Sequence, residues 1–324
     1  MKRIAGIDAE FEKKALALFQ KQATENSVYK EFLDILKFDT NSVQDIAEIP
    51  FLPIELFKHR QIKTGEWIEE KKYFSSGTTA QSKSIHLVKE EKYYLKNALQ
   101  GFEYYFGDVK DWIFVAYLPG YTENPSSSLI AMVNELIFQS KNDQGGFVTF
   151  DPEILRENLL NIKPNGKKIM LIGVAFALLD FCRNFEMQLP DLFILETGGM
   201  KGKDENIDRR SLHNILSKGF GTQKVFSEYG MTELFSQAYT SLNEKLFRPT
   251  PNMRLLIKDV NDPFEIRKNG KYGLIHIIDL ANESTCAFLA TQDLGILYDN
   301  GSFDVLGRLE SADLRGCNML YFSI

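Results

Sequence analysis

A hydroxyl-rich stretch with one glycine and a lysine is the part of this sequence best suited to chemistry. It runs from Tyr73 to Ser84 and reads Tyr-Phe-Ser-Ser-Gly-Thr-Thr-Ala-Gln-Ser-Lys-Ser. Glycine lets a backbone approach a ligand closely, hydroxyls donate hydrogen bonds to phosphate oxygens, and lysine adds a compact positive charge. This composition is typical of a loop that binds a polyphosphate. It is equally typical of a solvated Ser/Thr-rich loop without a ligand. The candidate phosphate ligands are Ser75, Ser76, Gly77, Thr78, Thr79 and Lys83.

The residues that follow distinguish this stretch from a Walker phosphate loop. From Gly77 onward the spacing lacks only the second glycine of a Walker loop, at the position of Ser82. A Walker loop opens a helix, whereas the run from Ile85 to Val88 alternates and contains β-branched residues, which predicts a strand. We therefore predict a strand, loop, strand arrangement around phosphates.

A second candidate site follows the last predicted parallel strand, at residues 226–233. Tyr229 offers an aromatic face to a base, Gly230 adds flexibility and Thr232 can donate to a phosphate. Glu233 can bind Mg²⁺, a hard cation that prefers oxygen ligands. The same residues are typical of a helix start, where Thr232 would cap and Glu233 would lie in the first turn. Spacing alone does not decide between these interpretations.

Three further groups lie near predicted strand ends. Gly198 and Gly199 allow close approach of a flat ligand, or form an ordinary turn. Asp293, predicted to lie between two strands, can bind ribose hydroxyls or be a turn aspartate. Arg308 follows Gly307 and is a bidentate donor.

The elements that must position these residues form an α/β pattern followed by an antiparallel β region. Helical periodicity covers residues 9–48 and 89–106, and strands alternate with helices from residue 112 to residue 238. Such alternation forms parallel βαβ units, which bind ligands beyond the carboxyl ends of their strands. After residue 250 the predicted elements are all strands: 254–260, 263–267, 272–280, 285–290, 295–298 and 302–305.

We accordingly divide the chain into three segments. Residues 1–70 form a helical segment that packs on the main domain, residues 71–250 an α/β core, and residues 251–324 an antiparallel β subdomain. The net charge of -6 at pH 7 does not favour nucleic-acid or anionic-membrane binding. No apolar run is long enough to span a bilayer. Three cysteines, an odd and sparse set, favour a cytoplasmic location, and the scattered histidines do not indicate a zinc site.

Taken in order, these motifs resemble those of the adenylate-forming superfamily of acyl ligases. The hydroxyl stretch is similar to its Ser-Gly-Thr-Thr-Gly-x-Pro-Lys motif, with Ala80 in place of glycine and Ser82 in place of proline. Residues 229–233 match its Tyr-Gly-x-Thr-Glu motif. Asp293 lies in a Thr-Gly-Asp-like setting with Gln292 in place of glycine, and Gly307-Arg308 matches the pair before the superfamily's hinge.

Within that superfamily the chain resembles the acyl-protein synthetases of bacterial bioluminescence. The similar segments are Leu118-Pro119-Gly120-Tyr121 with Ser127-Ser128-Leu129, and Gly198-Gly199-Met200-Lys201. The resemblance implies an adenylate-forming N-terminal domain that lacks the usual mobile C-terminal domain and the lysine carried by it. A second segment, Arg315-Gly316-Cys317-Asn318, is similar to the Arg-Gly-Val-Asn segment of phenylacetate-CoA ligases.

The resemblance also implies a role for each candidate residue. Lys83 and the hydroxyl loop would hold the β- and γ-phosphates of ATP, Thr232 would contact the α-phosphate, and Glu233 would bind Mg²⁺. Tyr229 and Gly230 would lie at the adenine. Gly198 and Gly199 would line the pocket for the adenine and the acyl group. The ribose would be held by Asp293 and Arg308.

Cys317 is the candidate acyl carrier, because the charge of Arg315 favours a thiolate and the related family carries its acyl group on a C-terminal cysteine. A small buried hydrophobe is the alternative. The resemblance implies ATP-dependent activation of a carboxylic acid, in this family a fatty acid, with transfer of the acyl group to a protein thiol and on to a reductase or carrier partner. Two alternatives stay open: a CoA ligase of the phenylacetate type and a non-catalytic nucleotide-binding protein.

Overall fold

The structure, a computed structural model, describes residues 6–75, 83–120, 124–198, 207–242 and 245–309. These residues fall into two compact units. We call the described part of Trp67–Pro251 the α/β unit, and the described parts of Met1–Glu66 and Asn252–Ile324 the two-segment unit.

Helices and strands occur in both units. The helices are α1 (Ala9–Glu25), α2 (Ser27–Ile35), α3 (Glu91–Phe106), α4 (Ser128–Ser140), α5 (Pro152–Asn161), α6 (Ala175–Asn184) and α7 (Arg209–Phe220). The strands are β1 (Leu52–Pro53), β2 (Lys71–Phe74), β3 (Ile85–Val88), β4 (Trp112–Tyr117), β5 (Gly146–Phe147), β6 (Lys168–Val174), β7 (Leu192–Thr197), β8 (Lys224–Tyr229), β9 (Ala238–Thr240), β10 (Phe247–Pro249), β11 (Met253–Lys258), β12 (Tyr272–Asp279), β13 (Phe288–Leu297) and β14 (Phe303–Arg308).

The α/β unit is built on a sheet whose strand order is β10-β9-β8-β7-β6-β4-β5. The pairs from β5 to β8 are parallel, and β9 and β10 continue the sheet in antiparallel pairing. All six residues of β4 are buried, as in strands covered on both faces, where hydrophobic residues run almost continuously. The predicted parallel α/β core is therefore confirmed.

Alternate residues of these strands pack against helices on opposite faces of the sheet. On one face Val115, Leu171, Ile194 and Val225 contact the apolar sides of α5, α6 and α7. On the other face Phe114, Met170, Ile172 and Leu195 contact α3 and α4. Successive strand residues point to opposite sides, so two separate apolar clusters form a three-layer arrangement.

The two-segment unit contains the antiparallel sheet β11-β12-β13-β14, and β1 pairs in parallel with β13. Helices α1 and α2 belong to this unit. The helix predicted for residues 9–48 is confirmed up to Ile35, and only short 3-10 turns follow, at Thr40–Ser42 and Ile46–Glu48. Asn26, fully buried, caps α2 by accepting from the Tyr29 N–H at 3.0 Å and donates to the Thr285 carbonyl at 2.8 Å. The rings of Phe19, Tyr29 and Phe288 pack together beside it.

Two details of the predicted β region are wrong. Residues 263–267 form no strand; only an isolated bridge joins Lys258 to Ile266. Residues 288–290 and 295–297 of two separately predicted strands belong to a single strand, β13, whose pairing with β14 shifts register between Leu294 and Gly295. Gly295 marks this irregularity rather than a turn, since a Cβ there would lie 2.5 Å from the Asp304 carbonyl oxygen.

None of the helices in the described ranges combines the length and apolar content that a bilayer crossing requires.

Replacing Asn26 by alanine tests the tie between α2 and the β12–β13 connection. We expect Asn26→Ala to lower the free energy of unfolding by about 2–3 kcal/mol, because it removes a helix cap and a buried hydrogen bond together. The measurement is urea unfolding followed by circular dichroism. Asp8 caps α1 at an exposed position, accepting from the Phe11 N–H at 2.9 Å, so Asp8→Ala is the matched control and should cost less. An equal loss of unfolding free energy in the two variants would contradict a stabilising role for the buried hydrogen bond from Asn26 to Thr285.

Candidate functional site

The hydroxyl stretch lies between two paired strands. β2 and β3 form an antiparallel pair in which Tyr73 lies opposite His86. Two hydrogen bonds close the base of the loop: the Ser75 N–H donates to the Ser84 carbonyl at 3.1 Å, and the Ser84 N–H donates to Ser75 Oγ at 3.0 Å. The strand predicted on each side of the stretch is confirmed, and β3 lies where a Walker motif would open a helix.

Ser75 and Lys83 are the candidate loop residues that the structure describes. Ser75 closes the base of the loop through its backbone and its hydroxyl oxygen, whereas Lys83 is exposed next to that base. The other loop candidates, Ser76, Gly77, Thr78 and Thr79, lie outside the described residues, as do Gly199 and Cys317.

Residues 229–233 form a strand end and a turn. Tyr229 is the last residue of β8, and the Leu234 N–H donates to the Met231 carbonyl at 3.1 Å, which places Thr232 and Glu233 at the centre of the turn. The alternative of a helix start is therefore wrong. The chain reverses here because β9 pairs antiparallel with β8, with Ala238 opposite Tyr229.

Two buried polar side chains hold this turn. His86 Nδ1 lies 2.7 Å from the Thr232 carbonyl oxygen, and the His86 ring packs on Phe235 with centroids 4.9 Å apart. Asn97 of α3 donates to the Phe235 carbonyl at 2.7 Å. Both contacts join residues far apart in sequence, so periodicity did not indicate them. The available signal was a polar residue inside an apolar run: His86 lies between Ile85 and Leu87.

Glu228 joins the ends of two neighbouring strands. Thr197, its partner in the parallel register of β7 and β8, donates from Oγ1 to a Glu228 carboxyl oxygen at 2.5 Å. Burial raises the pKa of Glu228 to about 7, the Thr197 hydrogen bond opposes that rise, and the nearby charge of Glu196 adds to it. The other carboxyl oxygen lies where a side chain on Gly230 would be, 2.3 Å from an added Cβ.

A further buried polar set lies beside this carboxyl group. His213 Nε2 is hydrogen-bonded to Ser227 Oγ at 2.8 Å and lies 3.7 Å from a carboxyl oxygen of Glu196. Gly198 follows the end of β7 with φ +75°, a conformation that favours glycine. The carboxyl ends of β7 and β8 therefore carry polar groups, as expected for the ligand-binding edge of a parallel sheet.

Asp293 and Arg308 lie opposite each other on β13 and β14. Arg308 Nε is 3.6 Å from Asp293 Oδ1, with the Arg308 side chain 60% exposed and that of Asp293 14% exposed. Asp293 lies inside β13, so its predicted position between two strands, or in a turn, is wrong. The two residues proposed from the sequence to bind one ribose are nevertheless neighbours.

The donor chemistry of the turn suits a magnesium ion carried by phosphates. In the described ranges no three His, Cys, Asp or Glu side chains cluster as a metal site. Mg²⁺ typically keeps water and phosphate oxygens and needs only one or two carboxylates, so Glu233 fits this mode of binding.

Tyr229, the predicted adenine contact, is 9% exposed, and its ring centroid lies 5.8 Å from that of Phe247.

Solved structures show which fold this is. MatB from Rhodopseudomonas palustris in its ATP-bound form has a TM-score of 0.53 at 17% identity over 73% of this chain. This chain spans only 47% of the length of MatB. An open conformation of 2-hydroxyisobutyryl-CoA ligase has a TM-score of 0.68 at 11% identity, covering 94% of this chain and 70% of that one. The fold is thus that of the N-terminal domain of adenylate-forming ligases over part of the chain.

The family is defined by sequence. The family described as acyl-protein synthetase, LuxE, matches residues 8–322, and the chain belongs to this family. A long-chain-fatty-acid–luciferin-component ligase from Vibrio harveyi is 24% identical, over 92% of this chain and 84% of that protein. A protein of the same name from Aliivibrio fischeri is 22% identical, over 90% of this chain and 82% of its own length. The resemblance noted from the motifs is therefore confirmed.

The raised pKa of Glu228 predicts a pH-dependent stability. The folded state holds this proton up to about pH 7, against 4.5 for the ordinary carboxyl, so the wild type should lose stability relative to Glu228→Gln as the pH rises between these values. The loss is complete above about pH 7 and is at most on the order of 3 kcal/mol. Urea unfolding at about pH 5 and about pH 8 measures it.

The exposed Glu186 supplies the control for this prediction. Glu186→Gln should follow the wild-type pH dependence. Parallel curves for the wild type and Glu228→Gln would show that the Glu228 carboxyl is ordinary.

Proposed function

We propose that this protein activates a fatty acid with ATP as an acyl adenylate and transfers the acyl group to a protein thiol. The observation that carries this proposal is the family match over residues 8–322. The names of the two relatives, which refer to a long-chain fatty acid, support the choice of acid. The strand, loop, strand arrangement at Ser75 and Ser84 supports ATP as the co-substrate.

In the first step a carboxylate oxygen of the acid forms a bond to the α-phosphorus of ATP. The bond from that phosphorus to the bridging oxygen breaks, and pyrophosphate leaves with the electron pair. Two anions must approach each other, and one pair of unit charges 4 Å apart repels by ~4 kcal/mol at an effective dielectric near 20. The protein must offset this repulsion and hold the reacting groups in line.

Residues of the α/β unit supply this stabilisation in our proposal. Lys83, exposed beside the base of the loop, holds the β- and γ-phosphates together with the loop hydroxyls. Thr232 donates to the α-phosphate, and Glu233 supplies an oxygen ligand for Mg²⁺. When bound, Mg²⁺ would neutralise charge on the phosphates. Asp293 and Arg308 are the proposed ribose ligands.

In the second step a thiolate attacks the acyl carbon of the adenylate, a C–S bond forms, and the C–O bond to AMP breaks. The proposed nucleophile is Cys317, whose neighbour Arg315 favours the thiolate. The other two cysteines are poorly suited, because burial raises the pKa of Cys182 and of Cys286 to about 12. A reductase or carrier protein then accepts the acyl group.

Exchange of labelled pyrophosphate into ATP tests the first step without knowledge of the acceptor. We expect exchange with saturated fatty acids and little with phenylacetate. Lys83→Ala and Glu233→Gln should each lower the rate on the order of 10²–10³-fold, as loss of a preorganised stabilising group does. Lys110→Ala, which removes an exposed charge elsewhere in the α/β unit, is the control and should retain the rate. Absence of exchange with every acid would favour a non-catalytic nucleotide-binding protein.

Labelling the protein with radioactive fatty acid and ATP tests the second step. We expect a hydroxylamine-labile label that disappears in Cys317→Ser and persists in Cys182→Ser and Cys286→Ser. The measurement is radioactivity retained on the denatured protein before and after hydroxylamine. AMP release that depends on CoA, with no label on the protein, would instead identify a CoA ligase.

A further inference from the structure

We propose that His86 is a positioning residue that orients the turn bearing Thr232 and Glu233. It also couples this turn to β3, the strand that follows the hydroxyl loop. The inference rests on the proposed function for its catalytic consequence. Its structural basis is the contact of 2.7 Å between His86 Nδ1 and the Thr232 carbonyl oxygen.

The chemistry of this contact determines which His86 nitrogen carries a proton. A carbonyl oxygen can only accept a hydrogen bond, so Nδ1 must carry the hydrogen and donate it. The carbonyl belongs to the planar peptide unit that joins Thr232 to Glu233. Fixing that plane therefore restrains the directions in which both side chains leave the backbone. One hydrogen bond thus acts on the two residues proposed to meet the α-phosphate and Mg²⁺.

The His86 ring is held firmly enough to transmit this restraint. It is fully buried, and it packs on the ring of Phe235 with an angle of 36° between the planes. Phe235 is 1% exposed, and its carbonyl accepts from Asn97 of α3. The histidine and the segment after the turn therefore lie in one packed layer.

β3 connects this contact to the loop. His86 lies opposite Tyr73 in the β2–β3 pair, and Lys83 and Ser84 precede β3 directly. A displacement of the base of the loop would be passed along β3 to His86 and to the Thr232 carbonyl. The base of the loop and the turn are thereby kept in register.

Two substitutions separate the hydrogen bond from the bulk of the ring. Asparagine places an amide nitrogen near the position of Nδ1, whereas glutamine places one nearer Nε2. We expect His86→Gln to lower the maximal rate of pyrophosphate exchange by about 10–100-fold, as loss of an outer-shell partner typically does. The KM for the acid should change little, and His86→Asn should restore most of the rate. His59→Gln, at an exposed histidine outside the candidate site, is the matched control and should leave the rate unchanged.

Hydrogen exchange of the ligand-free protein supplies a readout that does not depend on activity. The Leu234 amide, which closes the turn, should exchange faster in His86→Gln than in the wild type, and His86→Asn should restore its protection. The inference would be overturned if the Leu234 amide were equally protected in His86→Gln and His86→Asn. It would also be overturned if both variants lost the same share of the pyrophosphate-exchange rate. If the wild type catalyses no pyrophosphate exchange, the proposed function fails, and the Leu234 amide alone decides whether His86 orients the turn.

Discussion

The hydrogen bond from Thr197 to Glu228 joins the ends of the two strands from which the candidate turn departs. A carboxyl group removed from water is costly unless it is protonated or well bonded. Here the parallel register of β7 and β8 brings Thr197 directly opposite Glu228, and the raised pKa keeps the carboxyl largely protonated below about pH 7. The ends of the two strands are thereby joined at the point where the chain turns into the Thr232–Glu233 segment.

The candidate residues fall into two groups, each assembled within its own unit. In the α/β unit, Ser75, Lys83, Thr232 and Glu233 belong to a loop base and a turn that are linked through His86. In the two-segment unit, Asp293 and Arg308 are brought together by strand pairing alone. Strand pairing positions the second group, whereas the first depends on the buried His86 side chain as well as on the pairing of β2 with β3.

Much of the fold could be predicted from the sequence because its signals are local. The apolar runs of β4 and β6 and the alternation after Lys83 depend only on neighbouring residues, and these three strands are present as predicted. Local preference was undecided or misleading where pairing between distant segments determines the structure. Thr232 and Glu233 suit a helix start locally, an interpretation that the sequence left open, but the pairing of β8 with β9 makes them a turn. Likewise Gly295, which locally indicates a break, is accommodated within β13.

The motifs of the candidate site could be predicted from the sequence, but the contacts that hold these motifs in place could not. The hydroxyl loop and residues 229–233 carry recognisable spacing, whereas the partners of His86 and Glu228 are set by sheet register and by a contact that spans much of the chain. A polar residue within an otherwise apolar strand was the local sign of His86. Glu228 had no such sign, because Lys224 and Ser227 lie in the same strand.

The close approach of the Glu228 carboxyl to Gly230 restricts how this turn can diverge. A Cβ at position 230 would meet that carboxyl oxygen at 2.3 Å, so any larger residue there requires the Glu228 carboxyl group to shift. The same carboxyl group accepts the Thr197 hydrogen bond through its other oxygen. A substitution at position 230 therefore acts on the junction of β7 and β8 as well as on the turn.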